Sequence, residues 1–106
     1  MTFIVIDLET SGLSPSQDEI IEIGAVRLTD GASFQSLVKP SQPVSSQITA
    51  ITGIDNAMLE DAPPLAEVLP GLLDFCGTAP CLIGHNAAFD RSFLKRHLPP
   101  WPWLDT

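Results

Sequence analysis

Cations are scarce in this chain. Lysine and arginine number five against thirteen aspartates and glutamates, for a formal net charge of −8. A general nucleic-acid binder is normally basic, so this balance argues against one. Cysteine is almost absent. Cys76 and Cys81 form neither a disulfide framework nor a zinc pattern, and in apolar surroundings they read as reduced core residues of a cytoplasmic protein. No run approaches the roughly 20 apolar residues that span a bilayer, so no membrane contact is expected. The N-terminus lacks a basic region followed by an apolar core and a cleavage site, so no secretory leader is expected. The glycines never fall in a phosphate-loop spacing, and no serine sits in a hydrolase elbow.

What is present suffices for one domain over residues 1–106, with 44% of the chain hydrophobic. Two features soften the charge argument. Carboxylates at a metal site inflate the negative count and are neutralised when loaded. Arg91, Lys95 and Arg96 also place three of the five cations in one short segment.

The chain is organised around Phe3-Ile4-Val5-Ile6-Asp7-Leu8-Glu9-Thr10. Four apolar residues, three of them β-branched, predict a strand buried on both faces. Unpaired charge is costly there, yet the strand ends in Asp7 and Glu9. Side chains two apart on a strand share a face. The two carboxylates therefore leave one edge together and raise each other's pKa unless a cation lies between them. Two readings follow: a pair of solvated acids, or half of a divalent-metal site.

A loop from Ser11 to Asp18 precedes a second strand, Glu19 to Leu28, with both faces mostly apolar. Glu22 on it reads as a structural acid with buried partners, or as an outer group orienting metal ligands. Asp30-Gly31 predicts a hairpin turn and Ser33 to Lys39 the returning strand, completing an antiparallel meander. Ser45 or Ser46 can cap a helix that stops at Gly53, and Asp55 can cap another turn through Leu59. Such a segment suits the mouth of a site. Leu65, Val68, Leu69, Leu72, Leu73 and Cys76 mark a helix, and Pro70 predicts a bend in it or a break into two. Cys81 to Gly84 reads as a strand reached by a helical crossover, hence parallel to its partner. Asn86 reads as the N-cap of a helix from Ala87 to about His97, with Phe89 and Phe93 on one face and Asp90 near its first turn. Pro99 to Thr106 reads as an extended, proline-rich tail in which Trp101 and Trp103 pack. If the first strand and Cys81–Gly84 are neighbours in a sheet, Asp7, Glu9 and Asp90 converge at one edge.

At these residues the chain resembles a known family. Ile4-Val5-Ile6-Asp7-Leu8-Glu9-Thr10-Ser11-Gly12-Leu13, followed by Glu19-Ile20-Ile21-Glu22-Ile23-Gly24-Ala25-Val26, is similar to the first motif of the DEDD (DnaQ-like) exonucleases. Gly84-His85-Asn86-Ala87-Ala88-Phe89-Asp90 is similar to their second. The nearest branch holds the proofreading epsilon subunit of bacterial replicative polymerase and ribonuclease T. The resemblance implies an RNase H-like α/β fold in which the meander is extended by a parallel strand and flanked by helices. It implies 3′-to-5′ removal of nucleotides from DNA or RNA, with Asp7, Glu9 and Asp90 as ligands of two Mg²⁺ or Mn²⁺ ions roughly 4 Å apart. Thr10, Ser11, Gly12 and Leu13 would hold the terminal nucleotide, with His85, Asn86 and Phe89 lining the same pocket. Single-stranded 3′ ends and DNA polymerase subunits are the implied partners.

The family's third motif, a general-base histidine and a fourth metal-binding aspartate near a C-terminal helix, is missing. His97 lacks its context, and Asp105 matches a different position. A C-terminally truncated domain is expected, with water activation reduced about 10²–10⁴-fold. Uncovered apolar surface is expected too, and with it a homodimer. Two other readings compete with the enzyme. One is a catalytically inactive relative that binds nucleic-acid ends or a protein through Arg91, Lys95 and Arg96. The other is an α/β domain with incidental acids.

Overall fold

The computed structural model describes residues 1–106. Nine elements follow one another: β1 (Thr2–Thr10), β2 (Ile20–Arg27), β3 (Ser33–Leu37), α1 (Ser46–Thr52), α2 (Asn56–Leu59), α3 (Leu65–Cys76), β4 (Pro80–Gly84), α4 (Ala87–Leu94) and β5 (Trp103–Asp105). The sheet order is β3-β2-β1-β4-β5. The meander pairs antiparallel, and β4 lies parallel to β1. The tail is more than extended: its last residues form a fifth strand parallel to β4. Three residues carry too little periodicity to show this in sequence.

The core lies on one side of the sheet. Ile4, Ile6 and Leu8 of β1 meet Ile20, Ile23, Leu82, Leu72, Phe93 and Leu94 there. Burying each such side chain contributes about 1.5–3 kcal/mol. The other side is a correction to the expected burial of β1. Phe3 and Val5 remain 38% and 37% exposed. Val26 pairs with Val5, Val5 with Ile83, and Ile83 with Leu104. Paired residues point the same way, so an apolar row crosses this open face.

A register shift follows Glu9: Glu9 pairs with Glu22 but Thr10 with Ile20. This β-bulge lets two adjacent isoleucines serve two cores. Ile20 joins the main core, and Ile21 a smaller one with Val44, Ile54 and Leu59 beneath α1 and α2. The predicted caps of those helices are present. Ser45 accepts from the Ile48 amide at 3.2 Å and Asp55 from the Met58 amide at 2.8 Å. Gly53 ends α1 in the left-handed region that its missing Cβ permits. α3 runs as one helix through Pro70. α4 is shorter than expected, ending at Leu94 with a few turn residues after it. Cys76 and Cys81 are free and buried. No helix is long and apolar enough to cross a membrane.

Candidate active site

β1 is the strand at which the sheet changes from antiparallel to parallel pairing, and its C-terminal end carries Asp7 and Glu9 on the open face. Asp7 is exposed and Glu9 half-buried. Asp90 comes from the first turn of α4, which begins two residues after β4. It is only 4% exposed, and its Oδ2 is fully enclosed without a hydrogen-bond partner. Burial, then the charges of Asp7 and Glu9, push its carboxyl up to about 7. Burial, then Asp7 and Glu22, raise Glu9 as well. The charges of Asp7 and Glu9 therefore act on Asp90.

They do not form a closed cage. No three histidine, cysteine, aspartate or glutamate side chains meet at ligating distance. The donor set still suits a hard divalent cation: all donors are carboxylate oxygens, one buried and orphaned, with mutual repulsion that a cation would relieve. Glu22 lies opposite Glu9 and accepts from the Gln35 amide at 2.7 Å, so it is a tethered acid beside the site.

Gly84 makes the space for Asp90. A Cβ there would stand 3.2 Å from Asp90 Oδ2 and 3.1 Å from the Ala87 Cα. Asn86 does occupy the N-cap position of α4, but its side chain makes no capping bond, which corrects the expectation. Its backbone is left-handed, φ 62°, a strained state for a residue with a side chain. Asp105 of β5 caps instead, its Oδ1 accepting from the Ala87 amide at 3.1 Å. No local spacing in sequence could have shown a cap 18 residues away.

The residues after Glu9 are held by a short network. The Thr10 hydroxyl, nearly buried, donates to the Gly12 carbonyl at 2.6 Å. The Ser11 amide donates to the Glu19 carbonyl at 2.8 Å, and the Ser11 hydroxyl accepts from the Glu19 amide at 2.9 Å. Asp18 accepts from the Ser14 amide at 2.9 Å and sits where a Gly12 side chain would be. Asp18 was read only as a loop residue in sequence; its role depends on this folding back. Leu13 projects into solvent, 83% exposed. His85 and Asn86 are exposed at the entrance to α4. Phe89 is half-buried, its ring centroid 5.1 Å from that of Phe93. His97 lies elsewhere, beside a cleft of about 450 Å³ between the β1–β2 loop and α3 that none of the three acids lines.

The profile of the exonuclease family matches residues 4–98. A DNA polymerase III PolC-type protein of Caldanaerobacter subterraneus subsp. tengcongensis is 51% identical over 88% of this chain, and one of Thermotoga petrophila 46% over 99%. The chain spans only 7% and 8% of the length of these relatives. A DNA polymerase III subunit epsilon-like protein of Rhodobacter capsulatus is 43% identical over 91% of the chain and 14% of its own length. Among solved structures, Exonuclease X in complex with 5′ overhanging duplex DNA superposes with a TM-score of 0.76 at 36% identity, over 97% of this chain and 58% of that one. E. coli Exonuclease I in complex with a dT13 oligonucleotide superposes at 0.80 over 98% of this chain and 27% of its own, and at 20% identity it speaks for the RNase H-like fold alone. By its matched span and its relatives, the chain belongs to the exonuclease family, whose members generally depend on divalent metal.

Proposed function

We propose that this domain removes nucleotides from the 3′ ends of single-stranded DNA, in the setting of a replicative polymerase. The observation that carries the reading is Asp90: a buried, unpartnered carboxylate oxygen facing the charges of Asp7 and Glu9. Asp7, Glu9 and Asp90 would hold two Mg²⁺ or Mn²⁺ ions. Bound there, the ions would supply an activated water and neutralise the charge that develops on the phosphate.

The chain's own residues do the rest. Thr10 to Leu13 present a bonded turn and an exposed leucine to the terminal nucleotide. His85 and Asn86 stand exposed next to Gly84, where a phosphate or sugar can meet them. The half-buried Phe89 leaves part of its ring free for a base. The DNA preference rests on the DNA-bound Exonuclease X relative, and the polymerase setting on the PolC-type relatives. Free, buried Cys76 and Cys81 suit a reducing compartment, and we assign the domain to the cytoplasm. The apolar row on the open sheet face is where two copies would meet if the chain forms a homodimer.

The test is release of nucleotides from a labelled single strand with Mn²⁺ or Mg²⁺. Stepwise shortening from the 3′ end, lost in Asp7→Ala along with divalent-metal binding, is expected. An Asp7→Ala protein that titrates metal as before would remove the assignment of the site.

A further inference from the structure

We propose that the cleft between the outer face of α4 and the Pro99–Trp103 segment is a second contact for single-stranded nucleic acid, with Arg91 and Lys95 taking phosphates and Trp101 and Trp103 taking a base. The inference rests on the exonuclease reading for its ligand, but its residues lie outside the acidic site.

The cleft has a volume of about 270 Å³ and is walled by these four side chains over Leu94 and Leu98. Arg91 and Lys95 are exposed and four residues apart, so they stand on one side of α4. Neither is neutralised: the one ion pair of the fold joins Arg27 to Asp30. The nearest acids in sequence are engaged elsewhere, Asp90 being buried and Asp105 bonded to the Ala87 amide. Two of the five cations in a chain of charge −8 thus share one cleft without a partner. The same cleft holds both tryptophans of the chain. Each is half-buried, one part packed on the core and the rest lining the opening.

Unpaired cations alone would read as a solvated helix face, and two tryptophans alone as packing. Interleaved, they match what a single strand requires: charge for the backbone and π-faces for bases of any sequence. The cleft adjoins the acids in sequence. Arg91 follows Asp90 directly, and Lys95 is one turn further along α4.

Both tryptophans sit in the cleft and the chain has no tyrosine, so intrinsic fluorescence reads the cleft directly. A ten-residue oligothymidylate, added in chelator to keep metal out of the acidic site, should quench it saturably. Two neutralised phosphates predict a slope of log affinity against log salt near about −1.4. Arg91→Gln with Lys95→Gln should flatten that slope and weaken binding at least about tenfold, with the denaturation midpoint unchanged; Asp7→Ala should leave the quench intact. In turnover, the double variant should raise KM for the ten-residue strand and leave kcat, and all rates on a dinucleotide, as they were. Absence of quenching, or quenching unaltered in the double variant, overturns the proposal. Quenching by polyglutamate in place of oligothymidylate overturns it too, and would assign the cleft to an acidic polypeptide. If no substrate is cleaved, the exonuclease reading fails while the quenching still decides the cleft.

Discussion

The carboxylate of Asp105, in the outermost strand, accepts a hydrogen bond from the amide of Ala87, the first residue of the helix that carries Asp90. A helix start leaves its amides unpaired, and here the missing acceptor arrives from β5, while Asn86, with a left-handed backbone, makes no capping bond. The strand at the sheet edge thereby anchors the helix of a proposed metal ligand.

Asp105→Ala should cost about 1 kcal/mol of stability, the usual value of an N-cap. It should also lower metal affinity, because α4 loses its anchor at the turn that holds Asp90. Asp105→Asn keeps an acceptor and should stay near wild type in both chemical denaturation and metal titration.

Metal-free stability should fall as pH rises from about 4 to about 7. The folded chain keeps a proton on Asp90, whose carboxyl is pushed up to about 7, over a range where the unfolded chain has already released it. The fold binds more protons there, so raising the pH favours unfolding, by at most about 1.4 kcal/mol per pH unit. Asp90→Asn should flatten this dependence in denaturant melts with chelator, and should abolish nucleotide release.

Gly84→Ala places a methyl group 3.2 Å from Asp90 Oδ2 and 3.1 Å from the Ala87 Cα. Backbone cannot give way as a flexible side chain would, so a loss of about 1–3 kcal/mol is expected, as for an overpacked core. Metal affinity should drop with it, since the displaced group is the proposed ligand.

Gly12→Ala drives a methyl group into the Asp18 carboxylate that ties down Ser14. The Asp18 carboxylate must then move and release Ser14, loosening the loop after Glu9. A fall of about 10- to 100-fold in kcat/KM on single strands is expected from misplacing the terminal nucleotide. Metal binding, which does not use this loop, should be retained.

Much of this site could be seen in the sequence because strand alternation and short spacings are local facts. Asp7 and Glu9 share a face for that reason, and the crossover to a parallel β4 brings Asp90 to them. Ser45, Gly53 and Asp55 revealed their helices by the same local chemistry. Two of the misses involve partners distant in the chain. β5 is too short to show a period, and the cap from Asp105 crosses 18 residues. The second face of β1 was misjudged because an apolar run says that a strand is apolar on both sides, not that something covers both.

The uncovered row across the sheet has a thermodynamic consequence. Phe3, Val5, Val26, Leu28 and Leu104 keep between 37% and 55% of their surface in water while the chain is folded. Unfolding therefore hydrates less new apolar area than the chain length suggests. The heat-capacity increment should lie below the about 1.3–1.6 kcal/mol/K usual for a chain of this size. The stability curve should be correspondingly flat about its maximum.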